Sequence, residues 1–169
     1  MIHACRGTVP GIHRSVFVAP GAQIIGDVKI DEHSSVWYNA VIRADINYIR
    51  IGRNTNVQDG CILHVRHEYP LEIGSNITIG HGAILHACRI EDCCLIGMGA
   101  IVLDNARIKP YTLIAAGTVV KNNDEFPEGV LIAGVPGKIV RQLSSEERAM
   151  LEESAKQYVG YVQLYRETT

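Results

Sequence analysis

Four histidines lie close together in the 169-residue chain, at His64, His67, His81 and His86. Neutral imidazole is the commonest metal ligand in proteins, and three such rings on one zinc leave a fourth position open for water. Zinc lowers the pKa of a bound water to about 7, which makes hydroxide available at neutral pH. Fe(II) and Co(II) also accept imidazole. The cluster therefore predicts a catalytic metal centre, provided that the fold brings three of the rings together.

A six-residue repeat of aliphatic side chains identifies the elements that position these histidines. An α-helix has a period of 3.6 residues and a simple strand a period of 2, whereas a solenoid of short strands and corners repeats every six. The repeat comprises Val18, Ile24, Ile30, Val36, Ile42, Ile51, Val57, Leu63, Ile73, Ile79, Leu85, Ile90, Ile96, Val102, Ile108, Ile114 and Val120. It predicts an all-β solenoid of hexapeptide repeats. Extra residues between Ile42 and Ile51, and between Leu63 and Ile73, are expected to loop out at a corner.

The register of the repeat relates two of the histidines in space. His64 follows Leu63, and His86 follows Leu85 one full coil later. Because side chains alternate in and out along a strand, both imidazoles should point outward from one face, about 4.8 Å apart. His81 lies on the adjoining face, up to roughly 16 Å away within the chain. A neighbouring subunit of a closed ring is therefore expected to supply it. The alternative is that the first two rings merely stack and that His81 is an unrelated turn residue.

The repeat ends before a segment with helical periodicity. Ser144 and Glu147 have the spacing of a capping box, which marks the start of a helix. Apolar side chains then recur at helical spacing, at Leu151, Ala155, Tyr158, Val162 and Tyr165. We expect one domain, with a β-helix over residues 1–143 and a C-terminal α-helix over residues 144–169 that packs on it.

The composition limits the classes of partner. The net charge is −2, the pI is near 6.4 and no basic run occurs, whereas nucleic-acid and membrane-surface binding call for basic patches. No apolar stretch approaches the length of a transmembrane span. The five cysteines lack zinc-finger spacing, so we expect reduced, structural thiols in a cytoplasmic protein.

Three motifs resemble the gamma-class carbonic anhydrases, most closely the bacterial branch often called YrdA-type. The motifs are Val41-Ile42-Arg43-Ala44-Asp45, then Asn56-Val57-Gln58-Asp59-Gly60 leading to Leu63-His64, and Gly80-His81 leading to Leu85-His86. The resemblance implies a left-handed parallel β-helix and a homotrimer. It further implies zinc held between subunits by His64, His81 and His86, and reversible hydration of CO2 to bicarbonate.

The resemblance also implies roles for residues around the metal. Gln58 matches a glutamine that hydrogen-bonds the metal-bound hydroxide, and Asn56 matches a residue that supports this glutamine. Arg43 matches an interface arginine near the bound anion, for which purely structural pairing is the alternative. Asp59 matches the salt-bridge partner of that arginine. Tyr158 resembles a tyrosine that reaches toward the metal, although core packing explains it equally well.

The chain departs from the most active members of the family at the residues that move protons. Asp45 matches an acidic interface residue, but Ile46 stands where those enzymes carry a glutamate. The loop after the first histidine is short, and Glu68 is its only carboxylate. Since regeneration of hydroxide needs a proton exit, weak activity is expected. His67 is a candidate proton shuttle, or simply a loop or interface histidine.

Three other functions remain open at this point. The same metal centre could hydrolyse a thioester or another acyl compound. Many hexapeptide-repeat proteins are acyl-CoA transferases, and Gly134-Val135-Pro136-Gly137-Lys138 resembles a turn that they share, although this turn belongs to the scaffold. The last alternative is a non-catalytic trimeric scaffold.

Overall fold

The computed structural model describes residues 1–167 and shows a parallel β-helix of short strands with one C-terminal helix. The elements are β1 (Ile2–His3), β2 (Gly11–Ile12), β3 (Phe17–Val18), β4 (Gln23–Ile30), β5 (Ser35–Val36), β6 (Val41–Ile51), β7 (Asn56–Val57), β8 (Ile62–His64), β9 (Leu71–Ile73), β10 (Thr78–Ile79), β11 (Ile84–His86), β12 (Arg89–Ile90), β13 (Leu95–Ile96), β14 (Ile101–Val102), β15 (Arg107–Ile108), β16 (Leu113–Ile114), β17 (Val119–Val120), β18 (Glu125–Phe126), β19 (Val130–Ala133), β20 (Lys138–Gln142) and α1 (Ser145–Glu167). The predicted all-β solenoid with a C-terminal helix is confirmed.

The aliphatic positions of the repeat form the core. In the stack β6-β8-β11-β14-β17, parallel pairing aligns Ile42, Leu63, Leu85, Val102 and Val120 above one another. All five side chains are fully buried. Burial of each such side chain contributes about 1.5–3 kcal/mol, and a slip of one residue would turn the whole row to solvent. The core therefore fixes the register that places the histidines.

The first of the two insertions does not loop out as expected. Strand β6 continues across the corner and pairs with β8 at Val41 and with β9 at Ile49. Its neighbour β4 is long for the same reason, and Gly26 lets the two backbones approach closely. Gly26 has a φ of +80°, and a Cβ there would lie 2.1 Å from the carbonyl oxygen of Ala44. Only the second insertion, between β8 and β9, forms a loop.

Helix α1 begins with the predicted capping box and packs on the β-helix. The Glu147 N–H donates to Ser144 Oγ at 3.2 Å, and the Ser144 N–H donates to Glu147 Oε2 at 2.9 Å. Leu151 and Ala155 are fully buried against the β-helix. Tyr165 contacts the ring of Trp37 edge-on at 5.1 Å. The predicted apolar stripe is the packing face of the helix. The last two positions of the predicted segment 144–169 lie outside the described residues.

Loss of the cap gives a first testable effect. We expect Ser144→Ala to destabilise the protein by about 1 kcal/mol, because the backbone N–H of Glu147 loses its acceptor. For a chain of this size that corresponds to a fall in Tm of about 2–4 °C, measured by circular dichroism at 222 nm and equal protein concentration. Ser145→Ala, inside the first turn, is the matched control. Equal losses in both variants would show that the cap contributes nothing.

Two further features concern the chain as a whole. Within residues 1–167, no helix is both long and apolar enough to cross a membrane. The five cysteines are free thiols, and four of them are buried.

Candidate metal centre

His64 and His86 lie side by side on the outer face of one sheet. Strands β8 and β11 pair in parallel with His64 opposite His86. His64 Nδ1 and His86 Nε2 are 3.1 Å apart, close to the roughly 3.4 Å that separates two nitrogens on one tetrahedral zinc. The neighbour relation expected from the register is confirmed, whereas the role of the two rings as metal ligands stays a prediction.

Each of these rings contacts a carboxylate through its other nitrogen. His64 Nε2 lies 3.1 Å from Asp45 Oδ1, and His86 Nδ1 hydrogen-bonds Asp104 Oδ1. A carboxylate there binds the ring N–H and leaves the opposite nitrogen unprotonated, as in metal-binding histidines. The nitrogens that face each other at 3.1 Å are His64 Nδ1 and His86 Nε2, and with these tautomers both carry lone pairs. They repel unless a proton or a cation lies between them, so the donor set fits a metal ion.

Sequence reasoning missed Asp104. It stands 18 positions after His86, just beyond β14, and β14 pairs with β11 so that Val102 lies opposite Leu85, 17 positions earlier. The next position of this ladder would pair His86 with Leu103, so the register alone would not have singled out this carboxylate. The second oxygen of Asp104 accepts a hydrogen bond from Arg66 at 2.9 Å.

Charge and burial favour the ionisation states that a metal site needs. Burial raises the pKa of Asp45, but hydrogen bonds from His64 and Arg43 outweigh it and hold that pKa below its usual value. The pKa of Asp104 is lowered in the same way, since contacts with His86 and Arg66 exceed the effect of burial. Burial lowers the pKa of His64 more than Asp45 raises it. At neutral pH His64 is therefore the neutral imidazole that metals bind.

His81 occupies a different corner of the β-helix. It follows β10, and its Nδ1 lies 2.8 Å from Asp59 Oδ2, so this ring also contacts a carboxylate. Across residues 1–167, no three His, Cys, Asp or Glu side chains of the single chain are placed to hold a metal ion together. A site with three histidine ligands would consequently need His81 of a second chain, as the register predicts.

The buried amides of Gln58 and Asn56 form a fixed network beside His81. Gln58 Nε2 donates to Asn56 Oδ1 at 3.0 Å, and Gln58 Oε1 accepts the backbone N–H of His81 at 3.2 Å. Asn56 Nδ2 in turn donates to Thr78 Oγ1 at 3.0 Å. The expected contact between Asn56 and Gln58 is thus present. It holds the Gln58 carboxamide in one orientation.

Tyr158 on α1 contributes to the same region. Its ring packs edge-on against Trp37 at 5.5 Å, and burial raises the pKa of its hydroxyl. With Gln58 and His81 it lines a cavity of about 410 Å³. The structure therefore groups Tyr158 with Gln58 and His81, and separately groups His64 with His86.

The two predicted interface residues Arg43 and Asp59 have other partners within the chain. Arg43 lies opposite His64 in the β6-β8 ladder, and its guanidinium contacts Asp45. Asp59 pairs with His81. A salt bridge between Arg43 and Asp59 would have to form across subunits and stays a prediction.

The loop between β8 and β9 has a defined shape. Asn47 Nδ2 donates to the carbonyl oxygens of Arg66 and His67 at 3.1 and 3.0 Å. The side chain of His67 is exposed at the tip of the loop, and that of Glu68 accepts a hydrogen bond from Arg66 Nε at 2.9 Å. No carboxylate stands at position 46, where Ile46 is partly exposed.

Comparison with known proteins supplies the family. Residues 87–122 match the family described as bacterial transferase hexapeptide (six repeats). A protein of Methanocaldococcus jannaschii named probable carbonic anhydrase is 48% identical, covering 88% of this chain and 93% of its own. The chain belongs to the gamma-class carbonic anhydrase family. Protein YrdA of Escherichia coli is 40% identical over 95% of this chain and 91% of its own length, so the resemblance found in the motifs is confirmed.

Longer relatives and solved structures extend the comparison. Gamma carbonic anhydrase 2 of Arabidopsis thaliana, a mitochondrial protein, is 41% identical over 92% of this chain. The chain spans only 58% of that relative's length. A solved structure from Bacillus cereus, named as a candidate acetyltransferase, superposes with a TM-score of 0.97 at 40% identity and covers 99% of this chain and 98% of its own.

Proposed function

We propose that the protein is a zinc-dependent enzyme that reversibly hydrates CO2 to bicarbonate at sites shared between the subunits of a homotrimer. The observation that carries the proposal is the pair His64 and His86. One nitrogen of each ring faces the other ring at 3.1 Å, and the opposite nitrogen of each ring contacts a carboxylate. His81 of the partner subunit would complete the set. Three imidazoles suit zinc, and also Fe(II) or Co(II).

The residues of the chain have distinct roles in this proposal. A bound zinc would supply Lewis-acid activation of water. Gln58, whose carboxamide is fixed by Asn56 and by the backbone of His81, would orient the oxygen that attacks CO2. Arg43 would attract the bicarbonate anion through its charge. Because no carboxylate occupies position 46 to accept a proton, turnover should be slow relative to members of the family with a glutamate there.

An apolar stripe beside the histidine pair supports contact with a second copy. Val41, Ile62, Ile84, Ile101 and Val119 lie in register on the outer face, and Ile62 is 46% exposed. On the His81 corner, Met98 lies one coil below the histidine and is 60% exposed. The His64–His86 face thus combines two candidate ligands with apolar surface, and the His81 corner combines the third with apolar surface. A head-to-tail contact of these faces that closes into a ring would bury both.

Metal content and CO2 hydration test the proposal directly. Protein produced with zinc available should contain about one zinc per chain and accelerate the hydration of CO2 in a stopped-flow indicator assay. Removal of the metal with a chelator should abolish the activity, and re-addition should restore it. Metal-free protein from zinc-supplemented cultures would overturn the assignment.

A metal-dependent acyl hydrolase is the second candidate, and the cavity beside His81 favours it. The cavity of about 410 Å³ is lined by apolar side chains such as Leu95, Met98 and Leu113, with Gln58 and His81 among its polar groups. Such a cavity could accommodate a short acyl chain. Hydrolysis of CoA esters that exceeds CO2 hydration and disappears on chelation would favour this function. Acetyl transfer without metal would instead indicate an acyltransferase, and zinc without any turnover a scaffold.

We place the protein in the cytoplasm. The support for this location is that its five cysteines are free and mostly buried, as expected of thiols in a reducing compartment.

Substitution of Gln58 separates orientation of the reacting oxygen from metal binding. We expect Gln58→Ala to lower kcat/KM for CO2 by about 10–100-fold, because the oxygen loses its hydrogen-bond partner. The zinc content should stay that of the wild type, since Gln58 is not a ligand. Gln23→Ala is the control, because the Gln23 side chain contacts His3 at the N-terminal end of the β-helix and none of the three candidate ligands. Loss of zinc in proportion to activity would mean that Gln58 acts on the metal site as a whole.

A further inference from the structure

The carboxylate of Asp104 lies between the ring of His86 and the guanidinium of Arg66. Its Oδ1 accepts the Nδ1–H of His86, and its Oδ2 accepts from Arg66 Nη1 at 2.9 Å. The Asp104 side chain is only 13% exposed, whereas that of Arg66 is 52% exposed. Both oxygens of the carboxylate are therefore held, Oδ1 by His86 on the sheet and Oδ2 by Arg66 on the loop between β8 and β9.

We propose that Arg66 is a positioning residue of the metal centre, which acts through Asp104 on the tautomer of His86. The inference rests on the proposed zinc site. With Arg66 bound to Oδ2, Oδ1 stays directed at His86 Nδ1 and keeps the ring proton there. The lone pair is then on Nε2, the nitrogen that faces His64 at 3.1 Å.

Hydrogen bonds within the loop between β8 and β9 hold Arg66 in place. Its turn is closed by two hydrogen bonds between the backbones of Arg66 and Tyr69, at 3.0 and 3.3 Å. Asn47 holds the carbonyl oxygen of Arg66, and Glu68 holds the Nε of its guanidinium at 2.9 Å. The backbone and both ends of the guanidinium are thereby fixed. An exposed ion pair contributes little to stability, so the effect of Arg66 should lie in orientation rather than in the folding free energy.

A neutral amide in place of the carboxylate gives the sharpest test. In Asp104→Asn, Arg66 should attract the amide oxygen, which turns the amide NH2 toward His86 Nδ1. That contact requires an unprotonated Nδ1 and places the ring proton on Nε2, where it blocks the metal. We expect zinc affinity to fall by about 10–100-fold. If Arg66→Met is added, the amide can rotate and present its oxygen to His86, so the double variant should bind zinc more tightly than Asp104→Asn alone.

The single variants of Arg66 complete the cycle. Arg66→Met should weaken zinc binding by about 3–10-fold, less than the loss of the carboxylate itself, and Arg66→Lys should recover most of this loss. Arg89→Met is the matched control, because Arg89 is an equally exposed arginine paired with Glu72 elsewhere on the β-helix. Zinc affinity is measured by competition with a chromophoric chelator, and the His86 tautomer by ¹⁵N NMR of the zinc-free protein.

The outcomes separate this inference from the proposed function. The role of Arg66 would be overturned, and the metal site left intact, by two results in a protein whose wild type binds zinc. Arg66→Met would bind zinc as tightly as Arg89→Met, and the effects of Asp104→Asn and Arg66→Met on zinc affinity would simply add in the double variant. A wild type that binds no zinc would overturn the proposed function. The NMR measurement then still decides the inference, because it predicts a proton on His86 Nδ1 in the wild type and on Nε2 in Asp104→Asn.

Discussion

Zinc and CO2 hydration should disappear together when His86 is replaced by alanine. The substitution removes one of the two nitrogens that face each other at 3.1 Å, and it leaves Asp104 with only Arg66 as a side-chain partner. Only one imidazole from this chain and one from the partner would remain. The protein should then lose its zinc during purification, because each lost ligand lowers the affinity by orders of magnitude. Metal analysis of purified protein and the stopped-flow assay measure the two losses.

The control for this substitution is His3→Ala. His3 is an exposed histidine whose ring contacts Gln23 at the N-terminal end of the β-helix. It should change neither zinc content nor activity. Activity retained in His86→Ala would remove the metal from the mechanism, whereas retained zinc without activity would place the true ligands elsewhere.

The periodicity of the sequence was sufficient to predict the fold and the neighbour relation of two candidate metal ligands. An aliphatic side chain at every sixth position has one arrangement that buries all of them, and that arrangement places His64 opposite His86. The prediction succeeded because the register is set by about a hundred residues acting together. It failed at the first insertion, where β4 and β6 cross the corner as continuous strands. Their path depends on the close approach at Gly26, which leaves no periodic signal.

The carboxylates around the histidines were only partly predictable. Asp45 and Asp59 lie within motifs that match the family, but their contacts with His64 and His81 were not anticipated. Asp104 lies in no such motif, and the register of β11 and β14 points to its neighbour Leu103 as the residue opposite His86. Arg66 was harder still, because it reaches Asp104 from a loop whose shape depends on hydrogen bonds to Asn47 and on its own turn. Contacts made by loops do not follow the six-residue repeat, so they could not be predicted from the periodicity of the sequence.

One device recurs at all three candidate ligands. His64, His81 and His86 each contact a carboxylate, from Asp45, Asp59 and Asp104 respectively. A histidine that serves only packing or solubility does not need a carboxylate partner. Three of the seven histidines have one, and these three are the candidate ligands, which favours a common role in metal binding. Each carboxylate fixes the tautomer and the orientation of the ring that it contacts. The His81 pair lies on a corner remote from the others, which is the arrangement expected if two chains prepare the halves of one site.

Mixed trimers should show that the site is divided between chains. His81→Ala and His86→Ala proteins should each bind no zinc alone. When the two are unfolded, mixed in equal amounts and reassembled, a site is intact wherever a chain with normal His86 meets a neighbour with normal His81. In a random head-to-tail ring this occurs at about one quarter of the interfaces. Zinc content and CO2 hydration should therefore recover to about a quarter of the wild-type values. Recovery would not occur if one chain supplied all three ligands.

A second mixture distinguishes a metal site within one chain from a site shared by two chains through the amount of zinc that is bound. Wild-type chains are combined equally with chains that carry both substitutions. If each chain held its own metal, about one half of the wild-type zinc would remain, whereas a site shared by neighbours needs two wild-type chains in sequence and leaves about one quarter. The two mixtures should consequently give the same value. This equality is expected whenever each site joins the His64–His86 face of one subunit to the His81 corner of another.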